Sequence, residues 1–392
     1  MDGGDICRHL AVRGTTPDRG LPVGRSCMFT QVVPQAEGHA TWVMCMYGLL
    51  HSYASKIRTL ARRACVRPIV HFSASFCDPV RTPDDCMRAS YCDGYYVPLP
   101  EGHPFPMGKF PALHRLLRRE GLLDPSDVVA PRQADWSALR RVHTADYLTR
   151  LAEGTLPAHA ERRMGLPWSE RLVYRSRLAV QGTLNAAVMA LTDGLAANLA
   201  GGTHHAFPNH GEGFCVLNDV AVAVRVLQSA CWVRRVLIVD LDVHQGNANA
   251  AVFAEDDSVF TFSMHGAENY PFEKPSSSLD VPLADSMGDQ AYMDTLKRYL
   301  PQTLDAAQPD LVFYLGGIDV AADDQFGRLS LTREGLHARD RYVLEQIHAR
   351  TLPVVLLLSG GYAETPEATA DLHAVMYREA ARVFDAATAP AP

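Results

Sequence analysis

Lysine is scarce in this chain, with four residues against 33 arginines. Together with the abundance of alanine, that bias reflects GC-rich coding DNA, so no phosphate-binding surface is read from it. The formal net charge of -7 argues against a general nucleic-acid binder. No apolar run reaches the ~18 to 20 residues of a membrane-crossing helix. The longest early run, 40–50, is too short and contains Cys45 and Gly48. The start, Met1-Asp-Gly-Gly-Asp5, lacks the basic segment of a secretion signal. There are nine cysteines, seven of them before residue 93, and none forms a CxxC pair. A zinc ribbon and a disulfide framework are thereby disfavoured, and a reducing cytoplasm is the default location. Neither a G-x-G-x-x-G nor a P-loop pattern follows a strand, which sets aside a nucleotide-binding α/β domain. No internal repeat is visible.

What is present is a βα rhythm. The run Val236-Leu-Ile-Val239 is apolar and mostly β-branched, as in a parallel strand buried on both faces. It ends in Asp240, Asp242 and His244. Residues two apart on an extended chain point the same way, so these three can share one side, with Leu241 and Val243 on the other. Further strands are expected over 67–72, 195–199, 259–264, 311–315 and 353–358. Helices are expected over 110–120, 138–151, 169–191, 217–228, 249–254, 289–307, 332–349 and 366–383. Residues 77–108 are too rich in Pro and Gly for a helix. Strands alternating with helices predict a three-layer α/β/α fold with a central, mainly parallel sheet. Residues 66–386 are expected to form one domain, followed by a tail at 387–392. Residues 1–65 show no clear period over most of their length and are expected to be an atypical, poorly ordered extension.

Four of the strands run directly into polar or Gly-rich sequence. They lead into Gly201-Gly-Thr-His-His205, into Asp240 to His244, into Gly316-Gly-Ile-Asp319 and into Ser359-Gly-Gly-Tyr362. In a parallel sheet all four converge on one edge. Asp242, His244 and Asp319 then offer three N/O ligands, and a catalytic zinc keeps three protein ligands and one open position. Two carboxylates make the set harder than three histidines, so Fe(II) or Mn(II) can compete with Zn(II). A bound metal activates water and polarises a carbonyl. His204 or His205 can take a proton and return it to a leaving amine. Asp240 can hold one imidazole by a hydrogen bond. Tyr362, after two glycines, can aim its phenol at a developing oxyanion. Together these parts describe metal-assisted amide hydrolysis.

These motifs, with Gly211-Glu-Gly-Phe-Cys-Val-Leu-Asn-Asp219 and Asp240-Leu-Asp-Val-His-Gln-Gly-Asn247, resemble the histone deacetylase superfamily in order and spacing over about residues 67–385. The form of the second motif is similar to the class IV branch and its bacterial relatives. The resemblance implies an arginase/deacetylase-like fold and a zinc-dependent hydrolase that removes acetyl or longer acyl groups from N-acyl-lysine side chains or related N-acyl amines. It implies Zn(II), or Fe(II) in its place, on Asp242, His244 and Asp319. It implies His205 as general base and acid, and His204 paired with Asp240 to orient water. Tyr362 would bind the scissile carbonyl, and Gly213, Phe214 and Tyr270 would line the acyl-lysine tunnel. Asn247 stands where class I members carry Asp beside the second His, and an amide cannot raise the basicity of that imidazole as a carboxylate would. The family often binds K⁺, which implies a site of Asp240, Asp242, His244, Ser263 and Met264 and a distal one at Phe253, Asp256 and Val259. Lys109 aligns with a basic residue near an internal pocket. Neither nucleic acid nor membrane is an implied partner. An arginase-like ureohydrolase with two Mn(II) is the nearest rival, but Gly246 stands where that family has a second acid. A non-catalytic acyl-lysine-binding scaffold requires a lost ligand or a lost Tyr, and none is missing.

Overall fold

The computed structural model describes residues 87–385. The expectations for residues 1–65, for a strand over 67–72 and for the tail at 387–392 lie outside the described residues. Eight strands form one sheet in the order β2-β1-β3-β8-β7-β4-β5-β6, and every adjacent pair is parallel. The strands are β1 (Arg88–Ser90), β2 (Val128–Val129), β3 (Leu195–Asn198), β4 (Val236–Asp240), β5 (Val259–Gly266), β6 (Leu279–Leu283), β7 (Leu311–Leu315) and β8 (Val354–Leu357).

The central strands β4, β7 and β8 are apolar along their length, Asp240 at the end of β4 excepted, because both faces are covered. Alternate residues feed two cores. Leu237, Val239, Val312, Tyr314, Val354 and Leu356 face one. Val236, Ile238, Leu311, Phe313, Val355 and Leu357 face the other. The helices Lys109–Arg119 (α1), Asp289–Ala307 (α8), Arg333–Ala349 (α9) and Pro366–Asp385 (α10) cover the first face. Helices α5 (Glu170–Asp193) and α6 (Asp219–Ser229) cover the second. This is the three-layer architecture expected from the strand–helix rhythm.

The expected helix over 138–151 is corrected to two. A short helix α2 (Trp136–Leu139) stops, and α3 (Ala145–Glu153) restarts where the Thr144 side chain accepts the Tyr147 N–H. Such a cap satisfies an otherwise orphaned donor, so the chain can begin a new helix there. A helix α4 (Ala158–Met164) and the strands β1, β2 and β6 were not anticipated. The remaining short helix, α7 (Asn247–Phe253), starts at the turn that follows β4. Among the described residues no helix is long and apolar enough to cross a membrane.

Candidate active site

The four strands whose ends carry the polar motifs, β3, β8, β7 and β4, are contiguous in the sheet. Their C-terminal ends therefore deliver His204 and His205, Ser359 to Tyr362, Asp319, and Asp240 to His244 to one place. β4 proper ends at Asp240. Asp242 and His244 sit on the turn beyond it rather than on extended strand. That turn is held by β7 and the segment after it, because Leu241 N–H donates to Leu315 O (3.1 Å) and Val243 N–H donates to Asp319 Oδ1 (2.9 Å).

Asp242, His244 and Asp319 present one ligand atom each within 4.8 Å of one another. His244 Nδ1 lies 3.1 Å from both Asp242 Oδ1 and Asp319 Oδ2. The backbone N–H of Gly360 donates to Asp242 Oδ2 (2.6 Å). A Cβ at Gly360 would collide with both carboxylates, so only glycine lets the chain pass this close. Both acids are fully buried. Burial and the Asp242 charge push Asp319 up to about 7. Burial opposes protonation of His244, yet hydrogen bonds to the two acids raise it to about 10. The cluster thus draws in positive charge. Two carboxylates and an imidazole meeting in a buried cradle are the donor set of a divalent metal, which binds the neutral imidazole in place of that proton.

Two imidazoles stand beside this cradle with different partners. His204 Nδ1 is 2.8 Å from Asp240 Oδ2. Burial works against the His204 charge, but Asp240 and Asp242 raise it to about 9. His205 Nδ1 is 2.7 Å from Asn247 Oδ1. Burial and the neighbouring His204 and His244 hold it well below the usual histidine range. Side by side, then, one imidazole is shifted toward its charged form and the other toward its neutral form.

Tyr362 closes the far side, with its N–H on Asp324 Oδ2 (2.7 Å). Burial keeps its phenol protonated, well above the usual range. Its ring packs 4.8 Å from Phe326, 5.8 Å from Phe214 and 6.2 Å from Phe105. Phe214 and Gly213 line the same cavity as His204, His205, Asp242, His244 and Tyr362. The Tyr270 ring lies 5.4 Å from His205 and 6.3 Å from His244. Lys109 is the first residue of α1, 1% exposed, with Nζ 3.3 Å from Ser359 O and 3.4 Å from Gly361 O. Burial lowers its ammonium to about 8.

Of the residues expected from the sequence, the structure brings together Asp240, Asp242, His244, Asp319, His204, His205, Asn247, Gly213, Phe214, Tyr270 and Tyr362. Ser263 pairs with Asp240 across β4–β5, and its Oγ lies 2.9 Å from His265 Nδ1. At the distal position Asp256 already forms an ion pair with Arg225. Residues the sequence reading did not single out include Phe105 and Phe326 among the aromatic walls, Asp324 under Tyr362, and Glu212. Glu212 lies inside the Gly211-Glu-Gly-Phe motif, and its Oε1 accepts from Asn247 Nδ2 (3.0 Å) and from the Tyr270 phenol.

Fold and donor set together define a parallel α/β protein with a candidate metal centre at its strand ends. The chain belongs to the histone deacetylase domain family, which it matches over residues 103–378. An uncharacterised protein of Picosynechococcus sp. is 45% identical over 294 residues, covering 75% of this chain and 98% of its own. Histone deacetylase 2 of Arabidopsis thaliana is 30% identical over 274 residues, covering 67% of this chain and 70% of its own. The acetoin utilization protein AcuC of Bacillus subtilis is 32% identical over 252 residues, covering 59% and 65%. Among solved structures, the HDA15 HD domain and an HDAC homologue complexed with SAHA each superpose with a TM-score of 0.64, covering 77% of this chain and 89% of theirs. At 21% and 23% identity those two likenesses concern the fold alone.

Proposed function

We propose that this protein is a metal-dependent deacetylase, with residues 66–386 as its catalytic domain, that removes acetyl or longer acyl groups from N-acyl-lysine side chains or related N-acyl amines. The observation that carries this reading is the facing of two unlike sets. Asp242, His244 and Asp319 form an anionic cradle, and His205, shifted toward its neutral form, and Tyr362, shifted toward its un-ionised phenol, line the same cavity as Asp242 and His244. Family membership supports the same reading.

Asp242, His244 and Asp319 would hold Zn(II), and the same donors fit Fe(II). Such an ion, when bound, polarises the amide carbonyl and lowers the pKa of water. His205 has its Nδ1 committed to Asn247, so Nε2 takes the proton from water and later gives it to the leaving amine. His204, held on Asp240, keeps its proton and stabilises negative charge as it develops beside it. The Tyr362 phenol donates to the carbonyl oxygen, a bond that strengthens as the oxygen gains charge. Phe214 and Tyr270 flank the path of the alkyl stem, and Gly213 keeps the backbone close to His205. A potassium ion near Asp240, Asp242, His244, Ser263 and Met264 belongs to the same proposal.

The test is a panel of lysine peptides with acyl chains of increasing length, together with acetylated polyamines, assayed with and without chelator. The expected result is release of free amine from at least one acyl substrate, abolished by chelation and restored by Zn(II) or Fe(II). A metal-loaded protein inert toward the whole panel would sink the proposal.

A further inference from the structure

Residues 211–216 form a tight hairpin against His205. Glu212 and Cys215 exchange backbone hydrogen bonds of 3.0 and 2.8 Å. The two residues between them, Gly213 and Phe214, have φ of 53° and 63°. Positive φ at both central positions is the geometry of a type I′ hairpin turn, and for a bulky residue such as Phe214 it is strained. A Cβ at Gly213 would lie 2.7 Å from His205 Cδ2, so the turn is seated directly on the imidazole. The consequence is that Glu212 points beneath His205 at Asn247.

Asn247 is the residue that touches His205 where a carboxylate was missing. Its Oδ1 lies 2.9 Å from the Ala248 N–H and 2.7 Å from His205 Nδ1, and its Nδ2 donates to Glu212 Oε1 (3.0 Å). An amide can be placed two ways round. Turned over, this one would set N–H against the Ala248 N–H and oxygen against the Glu212 carboxylate. Glu212 therefore selects one orientation, in which only Oδ1 faces the imidazole. An amide oxygen can only accept, so His205 Nδ1 must carry the hydrogen and Nε2 is left with its lone pair. The carboxylate is well supplied with donors. The Tyr270 phenol shares Oε1, and His210 Nε2 lies 3.2 Å from Oε2. Arg163 approaches the same Oε2 at 4.0 Å. Burial opposes the charge, but the bonds from His210, Tyr270 and Asn247 hold Glu212 at about 2, ionised and unable to donate.

We propose that Glu212 is a positioning residue for the reaction: through the Asn247 amide it holds His205 in the tautomer that can accept a proton at Nε2. The proposal rests on His205 being the base of the deacetylase reading. In Glu212→Gln the new side-chain amide can donate to Asn247 Oδ1, the Asn247 amide can turn over, and the opposite tautomer of His205 becomes accessible.

Two measurements on the full-length metal-loaded protein decide it. The first is the histidine ¹⁵N spectrum, with the His205 signals assigned by their loss in His205→Ala. Wild type should show the Nδ1–H tautomer, and Glu212→Gln a mixture containing Nε2–H. The second is kinetic: Glu212→Gln should lower kcat about 10- to 100-fold with KM little changed and metal content intact, as expected for a group that orients a reacting residue. In an Asn247→Asp background the same change should cost nothing, because a carboxylate accepts with either oxygen and two facing carboxylates repel. Equal losses in both backgrounds would mark Glu212 as structural, and an Nε2–H tautomer in wild type would overturn the proposal outright. If wild type hydrolyses no N-acyl amine, the deacetylase reading falls, yet the tautomer still decides the role of Glu212.

Discussion

A phenol helps an amide hydrolase only while it keeps its proton until the carbonyl oxygen gains charge. Burial supplies that at Tyr362, whose ring is boxed by Phe105, Phe214 and Phe326. Tyr362→Phe keeps this packing and removes one donor. It should therefore leave metal content and KM nearly unchanged and lower kcat by ~10²-fold or more, the usual cost of an oxyanion donor. Unchanged turnover in that variant would remove Tyr362 from the chemistry. Asp242→Ala acts on the other set. It takes away one ligand and leaves the Gly360 N–H without its acceptor, so metal analysis should find the ion lost. At this scale much was legible in the sequence, because each of Asp242, His244, Asp319, His204, His205 and Tyr362 stands just after an apolar run. Glu212, Asp324 and Phe326 were not. Their meaning lies in contacts with Asn247, Tyr362 and Asn269, which are 35, 38 and 57 residues away. No local pattern announces such a pairing.

At the scale of elements, the long strands and helices could be read because their period or their apolar continuity is strong. The limits of Asp289–Ala307 and Leu311–Leu315 agree with expectation to the residue. Short elements carry too few residues for a pattern. β1 has three residues and β2 two; β1 is placed by its pairing with β3, and β2 by its pairing with β1, rather than by their own composition. The hairpin over 211–216 shows the same limit from the other side. Its motif was visible, but the pair of positive φ angles was not, and those angles are what place Glu212 and Phe214. Gly213→Ala tests the element as a whole. A Cβ at φ 53° is strained, and here it also meets His205 Cδ2 at 2.7 Å. The backbone term alone should cost about 1 to 2 kcal/mol in a urea melt. Turnover should fall further than stability does, because the imidazole must move. A variant as stable and as active as wild type would show that the turn does not set the position of His205.

At the scale of the molecule, the site depends on the helices that follow its strands. β7 leads through Asp319 to α9, and β8 leads through Tyr362 to α10. Those two helices are fastened to each other by Glu379 of α10, a fully buried acid. His337 Nδ1 lies 2.5 Å from Oε1, Arg341 Nε donates to Oε2 (2.8 Å) and Arg382 Nη1 donates to Oε1 (2.5 Å). Burial opposes the charge of Glu379, but the bonds from Arg341 and His337 and the charges of Arg341 and Arg382 hold its carboxyl below the usual range. A carboxylate whose pKa is depressed by folding stabilises the native state at any pH above its unfolded value of about 4.3. That contribution fades as pH falls from there through the folded value. Glu379→Gln should therefore lower the free energy of unfolding in urea at pH 7 by about 1 to 3 kcal/mol, for the lost charged hydrogen bonds. The gap to wild type should narrow steadily below about pH 4.3, because the wild-type acid is then neutralised too. Urea melts of both proteins from pH 7 to pH 3 measure that gap. A gap of the same size at both ends would mean that Glu379 holds α9 to α10 by shape alone and that its charge contributes nothing.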